Sequence, residues 1–192
     1  TGFPGYQAIM DPEATQYEMA SGRSHDWELP DDFFDRFDSM LAVVKLHVHG
    51  SARNVEVLRR AGLPYVVLHR DLRDVAVSLC AYVQRTPWHP EHRVYRGRTM
   101  PEALALFAVR ALPEYAAWVR GWCARRDPDR SLELRYEEML RDPVAALARV
   151  AAHFDLDATP ATIRRITAAH AFGRAAGGRR PGEERRGSFL RS

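Results

Sequence analysis

The sequence predicts an α/β domain, a parallel sheet flanked by helices. Three observations carry that expectation. Residues 65–69 form a short apolar, β-branched run that reads as a buried strand. Apolar residues then recur at helical spacing over 72–84, so strand passes directly into helix. Two further strand-like runs, 41–48 and 131–135, are each followed by capped helix signals. At 192 residues the chain is one domain's worth, long enough for a sizeable core.

Composition narrows the functional classes. Apolar residues make up 46% and charged residues 28%, ordinary values for a globular protein. A net charge of +3 and a pI of about 9.1 suit an anionic ligand without demanding a nucleic-acid partner. Lys45 is the sole lysine, and such an Arg- and Ala-rich style is that of a GC-rich bacterial gene. No apolar run reaches bilayer length and no signal peptide is present, so the expectation is a cytoplasmic protein with no membrane partner. Cys80 and Cys123 have no metal-like spacing and fit a reducing compartment, each expected to be buried as a small hydrophobe.

In chain order, residues 1–40 are expected to be irregular, with a short helix near 12–19 and another over 30–40 carrying Phe33, Phe34 and Phe37. Phe3, Tyr6, Tyr17 and Trp27 either line a ligand pocket or pin the loop to the core, the commoner arrangement. Residues 41–170 form the expected α/β core. The run over 41–48 alternates: Ala42, Val44, Leu46 and Val48 share one face, Val43, Lys45, His47 and His49 the other. A strand covered on both faces is apolar throughout. The polar face therefore marks an edge strand, or a Lys-x-His pair aimed into a crevice. The helix signal over 52–61, closed by Gly62 and Pro64, would join this strand to the next in a βαβ unit.

At the end of the 65–69 strand stands Arg70, with Asp71 as N-cap of the next helix and Asp74 in its first turn. In open α/β sheets that crevice is where anions bind. Arg70 and the Ser78 hydroxyl are spaced to clamp a phosphate. Alternatively Arg70 pairs with Asp74, and Ser78 bonds back to its own helix. Spacing leaves the two readings level.

Residues 86–98 form a long polar loop of the kind used as lids or binding loops; His89 and His92 lack the partners of a metal site. Thr99 with Glu102 is a capping box opening a helix to about 125, broken near Pro113, with Trp118 and Trp122 as core. Asp142-Pro143 and Thr159-Pro160 each open a helix; Val144, Leu147, Ala148, Ala151 and Phe154 form the apolar face of the first. The tail, 171–192, is Gly- and Arg-rich and of flexible composition.

Arg70-x-x-x-Asp74-Val-Ala-Val-Ser78 resembles the 3′-phosphate-binding segment of the sulfotransferases that use 3′-phosphoadenosine 5′-phosphosulfate (PAPS). Lys45-Leu46-His47 is similar to that family's Lys-Thr-His element, Tyr136-Glu137-Glu138 to its Tyr-Glu-Asp/Glu element, and Phe189-Leu190-Arg191 to its late nucleotide loop. The resemblance implies a P-loop NTPase-like sulfotransferase fold, PAPS as co-substrate, no metal, and a small-molecule acceptor with a hydroxyl or amine. It implies His47 as general base, Lys45 on the transferring group, and Arg70, Ser78, Tyr136 and Arg191 on the nucleotide. The family's Pro-x-x-Gly-Thr phosphosulfate loop has no counterpart here, so the expectation is the carboxyl-side portion of such a domain. The alternatives are a non-catalytic module that binds 3′-phosphonucleotides and an Arg-rich polyanion binder, the latter recognisable by salt-sensitive binding without nucleotide preference.

Overall fold

The computed structural model describes residues 28–37 and 43–171. In chain order the elements are α1 (Ala52–Ala61), β1 (Tyr65–His69), α2 (Leu72–Arg85), α3 (His92–Tyr95), α4 (Met100–Arg110), α5 (Leu112–Arg125), β2 (Ser131–Arg135), α6 (Tyr136–Arg141), α7 (Pro143–His153) and α8 (Pro160–Ala169). The architecture is helix-rich α/β, with β1 and β2 paired as a parallel two-stranded sheet among the described residues. The expected helix near 12–19, the aromatics Phe3, Tyr6, Tyr17 and Trp27, and the tail with Arg191 lie outside the described residues.

The described residues of Thr1–Leu63 and Glu114–Ser131 form one compact unit, and those of Pro64–Pro113 and Leu132–Ser192 a second. In the first, Ser51 caps α1 by accepting the Asn54 N–H, and Gly62 closes it at φ 68°, a left-handed turn that glycine adopts at little cost. Asn54 is fully buried and does double duty: its side chain accepts from the Leu29 N–H at 2.7 Å and donates to the His49 carbonyl at 2.8 Å. The expected helix over 30–40 is instead a turn at 31–34 and a single 3-10 turn, Asp35–Phe37, with residues 38–40 outside the described set. Phe33 is buried there, edge-on to Phe34.

The expected strand over 41–48 does not form across described residues 43–48. Its last carbonyl, and that of Gly50 beyond it, go to side chains instead of a ladder. Val48 accepts from both the Trp118 indole (2.7 Å) and the Trp122 indole (3.0 Å), and Gly50 from Arg125 (3.5 Å). The βαβ unit expected from that strand is therefore not built among the described residues. The alternation nevertheless survives: Val44, Leu46 and Val48 are the more buried, Val43, Lys45 and His47 the exposed. Cys123, expected inside, is exposed, because the face of α5 turned to this segment is taken by Gly121 and Trp122.

In the second unit, α2 packs on α4 and α7 on α8. The helix break predicted at Pro113 falls at Ala111; Pro113 sits in the first turn of α5, where its missing N–H costs nothing. The 86–98 loop contains α3, whose Tyr95 is buried, and the Gln84 side chain donates to the carbonyls of Tyr95 and Arg98. Cys80 is buried in α2, and burial pushes its thiol up. Val144, expected on the apolar face of α7, is more than one-third exposed, while Ala146 and Ala151 are buried. Among the described residues no helix is long and apolar enough to cross a membrane. Thr159 caps α8 by accepting the Thr162 N–H at 3.2 Å, ahead of Pro160. Thr159→Ala is expected to cost about 1 kcal/mol, read as a lower urea midpoint at unchanged slope, and Thr159→Ser to be nearly neutral.

Candidate functional site

The strand β1 delivers His69 and Arg70 to the end of the sheet; β2 delivers Arg135 and Tyr136 beside them. His69 is half-buried and donates through Nε2 to Glu133 Oε1 at 2.9 Å, tying the strands together by their side chains. Arg70 follows, its side chain 31% exposed. Its guanidinium lies 4.6 Å from the centre of the Tyr136 ring, a cation–π arrangement that fixes its plane. Asp74 Oδ2 stands 3.5 Å from its Nη2, one turn into α2. Its Nε is buried and makes no hydrogen bond among the described residues, which leaves a donor without an acceptor.

Arg70 closes one end of a cleft of about 200 Å³ whose floor is one face of α2: Val75, Ser78, Leu79 and Tyr82, at helical spacing. Ser78 does not bond back to its helix; its hydroxyl makes no hydrogen bond to another described residue. Asp71 caps α2 through the Arg73 N–H at 2.9 Å. The Arg73 guanidinium grips the same carboxylate and, with that N–H, holds it well below the usual carboxylate range. Beyond the cleft, the exposed Trp88 ring stands edge-on to Tyr82, 6.2 Å between centres, and His89 does the same at 5.6 Å. His89 Nδ1 accepts the Glu91 N–H and His92 Nδ1 donates to the Val83 carbonyl, so both rings serve the local backbone.

Lys45 and His47 belong to the first unit, side by side on the exposed face of residues 43–48. His49, two residues on, is half-buried and lines a separate cleft of about 440 Å³ with Glu28, Ser51, Gly121 and Arg125. Arg70, Ser78 and Tyr136 thus meet within the second unit, Lys45 and His47 belong to the first, and Arg191 lies outside the described residues. Sequence reading passed over Glu137. Its Oε1 accepts the Asp71 N–H at 2.9 Å, and that bond holds its carboxyl below the ordinary range. The signal available was an acidic residue directly after a strand end, next to a strand end carrying an arginine.

Residues 60–160 match the family model described as Sulfotransferase family. No curated protein sequence matches the chain. Among solved structures, the fold is similar to that of the mouse sulfotransferase SULT7A1, crystallised in complex with PAP, at a TM-score of 0.61 and 19% identity. The match covers 75% of this chain and 51% of that one, so the chain spans about half the length of this neighbour.

Proposed function

Since the chain belongs to the sulfotransferase family, we propose that it takes part in transfer of a sulfuryl group from PAPS to the hydroxyl or amine of a small acceptor. The observation that carries the reading is Arg70: a guanidinium at a strand end, backed by an aromatic ring, lining one cleft with Ser78, with a buried N–H still to be satisfied. Those donors suit the 3′-phosphate of the nucleotide, and Tyr136 would keep the guanidinium aligned for it. Bound PAPS would supply the sulfuryl group on an anhydride to phosphate, a good leaving group. His47 would take the acceptor's proton as the new S–O or S–N bond forms. Lys45 would offset the charge gathering on the sulfuryl and bridging oxygens. Arg191 is proposed as a further phosphate ligand, on the motif alone.

Calorimetry tests the reading directly. The protein is expected to bind adenosine 3′,5′-bisphosphate at least tenfold more tightly than adenosine 5′-phosphate. Arg70→Ala should remove most of that preference, since a hydrogen bond to a charged group contributes roughly 1.5–3 kcal/mol. Equal affinity of mutant and wild type for the bisphosphate would sink the clamp. Binding that weakens steeply with salt and ignores the 3′-phosphate would point instead to a general polyanion binder.

A further inference from the structure

We propose that Glu137 is a positioning residue for this anion site, latching the turn that carries Arg70 and so setting selectivity for the 3′-phosphate. The inference deepens the nucleotide reading and rests on it. Because β1 and β2 are parallel neighbours, the chain leaves them side by side, through Arg70-Asp71 at one exit and Tyr136-Glu137 at the other. The second exit holds the first twice. The Tyr136 ring backs the guanidinium at 4.6 Å, and Glu137 Oε1 accepts the Asp71 N–H at 2.9 Å across 66 residues of chain.

That N–H belongs to the peptide joining Arg70 to Asp71. Fixing its direction fixes ψ of Arg70, and with it the direction in which the Arg70 side chain leaves the strand. As N-cap, Asp71 contributes its carbonyl to the ladder of α2, by accepting from Val75, and not its N–H. Nothing in the helix would therefore replace the lost acceptor. Glu137 Oε2 is buried and takes no hydrogen bond among the described residues, with Arg135 Nε 3.8 Å away. A carboxylate seated with one oxygen unsatisfied, while the other accepts from the turn of the anion site across the sheet, is placed for that bond.

The test compares three variants. Glu137→Met keeps the bulk and removes the acceptor; it is expected to lower the ratio of affinities for adenosine 3′,5′-bisphosphate over adenosine 5′-phosphate about tenfold. Glu137→Gln keeps an Oε1 acceptor and is expected to hold that ratio within about threefold. Hydrogen exchange at the Asp71 amide should quicken in the first and stay protected in the second. A Met variant that folds with the wild-type ratio, or with unchanged Asp71 exchange, overturns the proposal. Should Glu137→Met fail to fold, Glu137→Asp takes its place: the charge stays, the acceptor is withdrawn by a methylene, and the same loss is expected. A wild-type protein that shows no preference for the bisphosphate overturns the nucleotide reading and the selectivity role with it. Asp71 exchange then decides the latch by itself, so the two failures are told apart.

Discussion

His47→Ala is expected to lower sulfuryl transfer by about 10²–10⁴-fold while leaving affinity for adenosine 3′,5′-bisphosphate within a factor of about two. The asymmetry follows from where the ring stands. His47 lies on the exposed, alternating face of residues 43–48, beside Lys45, in a different unit from the Arg70 cleft. In the proposed mechanism the imidazole accepts the acceptor's proton, so the substitution removes that step and leaves Arg70 and Ser78 themselves unchanged. His49→Ala is the necessary control. The His49 carbonyl is held by Asn54 and its ring lines the cleft of Glu28 and Arg125. If His49→Ala proves the damaging change and His47→Ala is silent, the base has been placed two residues too early.

Gly50→Ala is expected to cost about 3 kcal/mol or more, enough to abolish a folded first unit at moderate temperature. A Cβ there would stand 2.5 Å from the Trp122 nitrogen and 2.7 Å from the Gly121 carbonyl carbon. Both are backbone atoms of α5, which cannot swing aside as a side-chain tip can. The reciprocal change is milder: a Cβ on Gly121 would meet the Gly50 oxygen at 3.2 Å. Alanine in mid-helix returns about 1 kcal/mol of propensity, so Gly121→Ala should be close to neutral. Urea unfolding of the two variants checks the order. Gly121→Ala emerging as the worse would mean that α5 and not the 43–50 segment is the part that yields.

Local chemistry was readable in the sequence. Gly62 closes α1, Asp71 caps α2, and Asp142-Pro143 and Thr159-Pro160 open α7 and α8, because each cap is settled within a few residues of chain. The strands 65–69 and 131–135 were readable for the same reason. The family likeness likewise rested on a contiguous run, Arg70 to Ser78. What failed was decided at a distance. The 41–48 run has a strand's alternation, but the partners of its last carbonyl, that of Val48, are indoles 70 and 74 residues on, which no local pattern announces. Cys123 reads as a core residue by type, yet its neighbour Trp122 claims the buried face of α5. Glu137 looks like one more solvated carboxylate until β1 and β2 are set side by side.

The twin indole bonds to Val48 also fix an order of events. A carbonyl oxygen has two lone pairs, and Trp118 and Trp122 take both. Closing a loop of 70 residues costs about 4 kcal/mol of chain entropy beyond a constant, which these long-range contacts must repay together. On a ribosome the segment that ends at Val48 is made early, yet the donors that hold the Val48 carbonyl lie on a helix synthesised some 70 residues later. The nascent chain can wind α1 and α2 as they emerge, whereas the Val48 carbonyl must wait for α5 to supply its donors. The anchored Val48 carbonyl is in this sense the last thing the segment acquires, and a chain halted before Trp118 would carry residues 43–48 without either indole to hold it.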